Sequence, residues 1–216
     1  MKTIVYVDGY NLYYGLLRKS SYKWLDLFTL FQNHVLGPET EVVDVRFYTA
    51  PVLGKMCDDP ASQQRQRQYL QALRKMPPQK ITIIEGTIVA STPSLRLVEA
   101  ISGLPSKVRV HDFTEKKTDV SLASDLICDG FTNSSAQAVL CSNDTDFAPA
   151  LNALRKSCPH IRIGIVAPVS PDDHRHIAND LVKHGHWAKK LSPVHLANSQ
   201  LPDKIPGTAI YRPEQW

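Results

Sequence analysis

The sequence contains no apolar run long enough to cross a bilayer, and it does not open with the charged, apolar and small-residue succession of a secretory signal. Its first residues, Met1-Lys2-Thr3-Ile4-Val5-Tyr6-Val7, read instead as a buried strand. A cytoplasmic setting, with no membrane partner, is the expectation. Cysteine is sparse: Cys57, Cys128, Cys141 and Cys158 show no CxxC spacing, so neither a zinc ribbon nor a dithiol pair is indicated. Cys128 and Cys141 lie in apolar stretches and read as small core residues. The paired histidines, His174 with His176 and His184 with His186, lack the further ligands of a zinc site. No glycine-rich turn follows the first strand, which argues against dinucleotide binding. There is no internal repeat and no low-complexity tract. Net charge is only +4, compatible with a nucleic-acid partner but too small to identify one.

What is present is an alternation of strand-like and helix-like segments. Thr3–Val7 is a continuous apolar run, and a helical stretch follows from Leu12. Val42–Thr49, Ile81–Val89, Ala138–Cys141 and Ile161–Val166 read as further strands. Helices are expected over Ala61–Arg74, with Tyr69, Leu70 and Leu73 on one stripe, and over Val120–Asp129 and Phe147–Arg155. Strands separated by helices imply parallel neighbours joined by right-handed crossovers. The expected fold is therefore α/β: one three-layer domain over residues 1–190, with a central, mainly parallel sheet and helices on both faces. Residues 91–112, rich in Ser, Thr, Pro and Gly at their start, read as an inserted loop or hairpin, and 191–216 as a C-terminal surface tail anchored by Trp216.

In such sheets functional groups collect at the carboxyl ends of the strands, near the point where strand order reverses. Asp8 ends the first strand, Asp119 opens a helix, and Asp144 and Asp146 follow the strand ending at Cys141. Gathered at one rim, four carboxylates repel one another unless they are protonated or neutralised by a cation. A hard divalent ion, Mg2+ or Mn2+, is the matching partner for oxygen ligands. Such an ion activates water for attack on a phosphodiester. Each aspartate also has a plainer reading: Asp8-Gly9 as a turn, and Asp119, Asp144 and Asp146 as helix caps. One helix needs one capping side chain, whereas Asn143, Asp144, Thr145 and Asp146 all stand ready at the same helix start.

Val-Asp-Gly-Tyr-Asn-Leu (7–12), Glu-Lys-Lys-Thr-Asp-Val (115–120) and Ser-Asn-Asp-Thr-Asp-Phe (142–147) closely resemble, in order and separation, the three motifs of the NYN domain family in its LabA-like branch, a group of PIN-like nucleases. The resemblance covers roughly residues 1–190. It implies a parallel α/β fold, a divalent metal site and ribonuclease activity. It identifies Asp8, Asp119, Asp144 and Asp146 with the family's acidic residues and Asn11 with an early polar residue that holds a metal-bound water or a phosphate. Ser142 and Asn143 match the polar lead-in to the last acidic pair. Asp125 is a further candidate, although six residues along a helix leave it about 120° away from the Asp119 direction.

Substrate contacts are expected from Lys116 and Lys117, which precede Asp119, with Thr118 and with Tyr10 as a base-stacking ring. Arg18, Lys19, Arg65, Arg67, Arg74 and Lys75 add basic charge on helices, where a solvated face is the plainer reading. The partner expected is RNA, single-stranded or flexible because such a strand bends into a metal pocket more easily than a duplex, with DNA left open. A homodimer is compatible with this kind of fold, with no apolar stripe to name its interface. The competing reading is an RNA-binding adaptor that keeps the acidic rim without turnover. A haloacid-dehalogenase-type phosphatase fits less well, since it wants an aspartate where Tyr10 stands. A toprim-like nuclease would need a glutamate after the first strand.

Overall fold

The computed structural model describes residues 1–54, 57, 59–170 and 174–216. The chain opens with β1 (Lys2–Asp8), whose residues from Thr3 onward are all buried. Helix α1 (Gly9–Leu12) runs on as a π-helical turn over Tyr13–Leu17, and α2 (Leu27–Thr29) widens in the same way over Leu30–Val35. Then come β2 (Glu41–Thr49), α3 (Ser62–Lys75) and β3 (Ile81–Glu85). A ribbon follows, built from β4 (Thr87–Ser91), β5 (Ser94–Arg96), β6 (Lys107–Arg109) and β7 (Asp112–Lys116). The second half comprises α4 (Thr118–Phe131), β8 (Gln137–Cys141), α5 (Ala148–Ser157), β9 (Arg162–Ala167), α6 (Asn179–Val182), β10 (Trp187–Lys190) and α7 (Pro193–Ala197).

Six strands form one sheet in the order β10-β9-β8-β1-β2-β3, every pair parallel. A parallel sheet covered on both faces needs strands that are apolar throughout, and the buried Ile4–Val7 run meets that need at its centre. Alternate residues serve opposite faces. Val5, Val7, Val45, Phe47, Val139 and Cys141 pack under α1, α2 and α3. Ile4, Tyr6, Tyr48, Leu140, Ile163 and Ile165 pack under α4 and α5. The result is the expected three-layer α/β arrangement. The chain leaves β1 towards β2 and β3, then returns to the other side of β1 to lay down β8, β9 and β10. The order therefore reverses between β1 and β8, and their carboxyl ends border the crevice where such folds place their sites.

Several local expectations change. Ile81–Val89 is not one strand: the chain turns out of the sheet at Gly86, and β4 pairs antiparallel with β7 instead. A Cβ at Gly86 would lie 2.6 Å from the Lys116 carbonyl and 2.7 Å from Glu115 Oε1, so only glycine lets the ribbon fold back over this corner. Paired strands extend beyond 91–112, from Thr87 to Lys116, with β5 on β6 as a second antiparallel pair. Helix α2 and edge strand β10 escaped the periodicity. Asp26 caps α2 by accepting the Thr29 N–H at 3.0 Å. Cys128 is exposed on α4, contrary to expectation; Cys141 and Cys158 are the buried thiols. Among the described residues no helix is long and apolar enough to cross a membrane.

The largest correction concerns 191–216, which is more than a surface tail. Leu191, Leu196, Leu201 and Ile205 are buried in the core beneath α1–α3. The Trp24 indole donates to the Pro202 carbonyl at 2.9 Å, and Trp216 packs on Tyr69 and Trp24 with ring centroids 5.1 and 5.8 Å apart. Four apolar residues spread among prolines lack any period, which is why the sequence reads as a tail. We expect Ile205→Ala to destabilise the fold by about 2–4 kcal/mol in urea unfolding, the cost of a core cavity. A loss under about 0.5 kcal/mol would mean that the segment lies on the surface after all.

Candidate active site

Asp8 stands at the last position of β1, and its two oxygens are committed in different directions. Oδ1 accepts the Asn11 N–H at 2.9 Å, capping α1. Oδ2 accepts the Ser142 hydroxyl at 2.9 Å, across the crevice to the end of β8. The turn behind it requires glycine, because a Cβ at Gly9 would sit 2.6 Å from the Tyr48 carbonyl. Asp8-Gly9 makes the turn expected of it, and the cap that Asp8 adds on α1 fixes its carboxylate at the crevice.

The polar lead-in residues lace the site together. Ser142, fully buried, accepts the Asp144 N–H at 3.1 Å, and Asp144 Oδ1 accepts the Asp146 N–H at 3.0 Å. Asn11 Oδ1 accepts the Asn143 N–H at 3.0 Å. The Asn143 amide is engaged at both ends, donating to the His176 carbonyl and accepting the Ala178 N–H. Asn11, Ser142 and Asn143, expected at the substrate or the metal, hold the shape of the rim by these bonds. Thr118 is likewise buried, with its N–H donated to Glu115 Oε1 at 3.2 Å. Lys117 takes a left-handed conformation (φ 85°) ahead of α4, and both Lys116 and Lys117 are exposed beside Asp119.

Charge accumulates here. Burial pushes the Asp8 carboxyl up to about 6; the Asn11 and Ser142 bonds oppose the rise, and Asp119 and Asp144 add to it. Asp119 is also raised, first by burial and then by Glu115, Asp144 and Asp146. Glu115 is a fifth acidic group that the sequence reading passed over. Its position in the Glu-Lys-Lys-Thr-Asp run, at the end of β7 and four residues before Asp119, was the available signal. Among the described residues, Asp119 and Asp146 accept no hydrogen bond, and no three Asp, Glu, His or Cys side chains are spaced to hold a metal ion. The four aspartates form an acidic rim rather than a closed cage. Burial, and after it the charge of Asp119 and Asp144, disfavours ionisation of Asp8 at this rim.

Asp125 belongs elsewhere. It accepts the Tyr48 hydroxyl at 2.8 Å and lies 3.7 Å from Arg46, whose guanidinium also meets Asp129 at 2.9 Å and Asp44 at 3.2 Å. Tyr6 donates to Asp129 at 2.5 Å. This network fastens α4, and with it Asp119, to the sheet. Tyr10 is half-buried, stacked at 6.0 Å on Tyr14, and its hydroxyl is buried with no hydrogen-bond partner among the described residues. Burial is the main reason its phenol is pushed up to about 12. Tyr13 and Tyr14 are the rings exposed to solvent.

The raised Asp8 carboxyl has a consequence for stability. Its folded value lies above the ordinary 3.8, so the folded state binds the proton more tightly and is favoured at low pH. With chelator present, the Asp8 contribution should be full below about pH 4 and lost as pH rises through about 6, a change of about 3 kcal/mol. Asp8→Asn should flatten that part of the profile in urea titrations. Identical wild-type and Asp8→Asn profiles between pH 4 and 6 would contradict this environment for Asp8.

Comparison with known proteins agrees with the fold and the motifs. The NYN domain model matches residues 2–184. The whole chain aligns, at 34% identity, with 75% of 6-hydroxy-3-succinoylpyridine 3-monooxygenase HspA from Pseudomonas putida. A crystal structure of a protein of unknown function from Vibrio parahaemolyticus superposes with a TM-score of 0.54 and 17% identity, covering 93% of this chain and 96% of that one. That likeness concerns the fold alone. The three motifs, the parallel sheet with its acidic rim and the match over residues 2–184 together show that this chain belongs to the NYN domain family, a family of PIN-like nucleases.

Proposed function

We propose that the acidic rim hydrolyses phosphodiester bonds in RNA, preferentially single-stranded or flexible RNA, with Mg2+ or Mn2+ held by Asp8, Asp119, Asp144 and Asp146. The observation that carries this reading is the buried Asp8 carboxylate at the strand-order reversal, tied across the crevice to Ser142 and close enough to Asp119 and Asp144 to feel their charge. When bound, the ion supplies Lewis acidity toward water and phosphate. Asp119 and Asp146, free of hydrogen bonds among the described residues, are the ligands able to turn towards it. Asn11 and Ser142 keep Asp8 oriented, and Lys116 and Lys117 draw the phosphate backbone to the rim. The cytoplasm is the setting this reading suits, and a homodimer is compatible with it.

The Pseudomonas relative favours a second reading. It is named for oxygenation of a substituted pyridine, and it is 34% identical over the whole of this chain. By that analogy the chain would act on an aromatic ring, consuming dioxygen and a reductant. The adaptor reading, RNA binding without turnover, is the third outcome to distinguish.

End-labelled single-stranded RNA and DNA, incubated with Mn2+, Mg2+ or chelator, separate these readings. We expect RNA products that require the metal, with Asp8→Asn and Asp146→Asn each lowering cleavage by roughly a hundredfold or more while the fold persists. Bound but uncut RNA under every metal would point to the adaptor. Lys117→Ala should weaken RNA binding and reduce the slope of log affinity against log salt by about one. An unchanged slope would show that this lysine does not reach phosphate.

A further inference from the structure

On the face of the sheet opposite α4, between α1, α3 and the C-terminal segment, lies a cavity of about 420 Å³. This is the size range of small-molecule sites. It shares only the Gly9–Tyr10 turn with the acidic rim, and the metal-dependent cleavage proposed above makes no use of it. Phe47, Tyr69 and Trp216 form one aromatic wall, with Tyr69 set edge-on to both neighbours at 81° and 76°. Tyr13 and Tyr14, exposed and in edge contact at 5.3 Å, stand on the α1 side.

The charge in this cavity is the reverse of that at the rim. Among the described residues Arg18, Lys23 and Arg65 line it, with Asp59 as the one acidic side chain, already paired with Arg65. Arg18 is exposed, and its guanidinium lies 5.5 Å over the Tyr14 ring and makes no hydrogen bond or ion pair among the described residues. Its planar donor fork therefore remains available for a carboxylate, the anion it matches in shape. Two wall atoms, the Tyr10 hydroxyl and Arg65 Nε, are buried without hydrogen-bond partners among the described residues. They are shielded from water, so a ligand meets them only if the wall side chains shift. Unsatisfied polar atoms of this kind call for an explanation and recur at functional sites.

We infer that this cavity binds a free single-ring aromatic acid, its ring against the aromatic wall and its carboxylate on Arg18. A nucleobase would offer the ring but would bring the bulk of a sugar and a phosphodiester chain into a cavity closed on one side by Trp216. The inference does not rest on nuclease activity, and it can fail or hold independently of it.

Calorimetric titration of the full chain with benzoate and with nicotinate tests it, with benzamide, nicotinamide, uridine monophosphate and a short single-stranded RNA as comparisons. We expect saturable binding of at least one acid, weakened about tenfold or more by the amide form and by Arg18→Gln. The Arg18 side chain is exposed and its guanidinium makes no hydrogen bond among the described residues, so this variant should fold, as its unfolding curve will verify. Acid binding should persist in chelator and in Asp146→Asn, which separates it from any failure of the acidic rim. The inference is overturned if neither acid saturates by about 10 mM, if the amides bind as well, or if Arg18→Gln binds unchanged. Displacement of a bound acid by uridine monophosphate or the RNA would also overturn it, reassigning the cavity to a nucleotide.

Discussion

The hydrogen bond from Ser142 to Asp8 joins residues 134 positions apart and closes the crevice between β1 and β8. Everything polar at the site hangs from it. Ser142 passes the connection to Asp144, Asp144 to Asp146, and Asn11 fixes the Asn143 backbone from the other side. The arrangement keeps a buried carboxylate at a strand end beside other carboxylates. Burial and like charge both disfavour ionisation there, and two donated hydrogen bonds only partly offset them. Perturbed groups of this sort are characteristic of working sites, where a cation or a proton resolves the conflict.

A second fastening holds the other half of the rim. Arg46 sits among Asp44, Asp125 and Asp129, with the Tyr6 and Tyr48 hydroxyls completing the acceptors' needs. A partly buried guanidinium is tolerable because it is paired on several sides; removing one partner would leave charge stranded. The network clamps α4 by its middle turns, while Glu115 receives the first N–H of the helix. The Asp119 carboxylate is thereby held at the rim without accepting a hydrogen bond from any described residue. Positioning is done by neighbours.

The two faces of the sheet divide the chemistry. The α4 face carries the acidic rim; the α1–α3 face carries an aromatic, cation-lined cavity roofed by the C-terminal segment. Because β1 contributes alternate residues to each, the Asp8-Gly9-Tyr10 turn is the seam between them. Family membership speaks for the first face.

Much of this was legible from residues alone. Short β-branched apolar runs such as Ile4–Val7, alternating with helical segments, read as strands covered on both faces, so local composition pointed to the parallel α/β class. Three short motifs placed Asp8, Asp119, Asp144 and Asp146 at strand and helix ends because those ends are where the hydrophobic pattern stops. Tertiary structure decided what each polar residue does there. Asp125 and Asp119 share a helix, but only the placement of Arg46 and Tyr48 on the neighbouring strand shows that Asp125 is consumed in packing. Asn143 looks available in sequence and is spent on the Ala178 and His176 backbone. Leu196, Leu201 and Ile205 have no period of their own, and their burial depends on a surface supplied by α1–α3. Local patterns record what a segment can bury; which partner it meets is settled by long-range contacts, and those decided the roles of Asp125, Asn143 and the C-terminal segment.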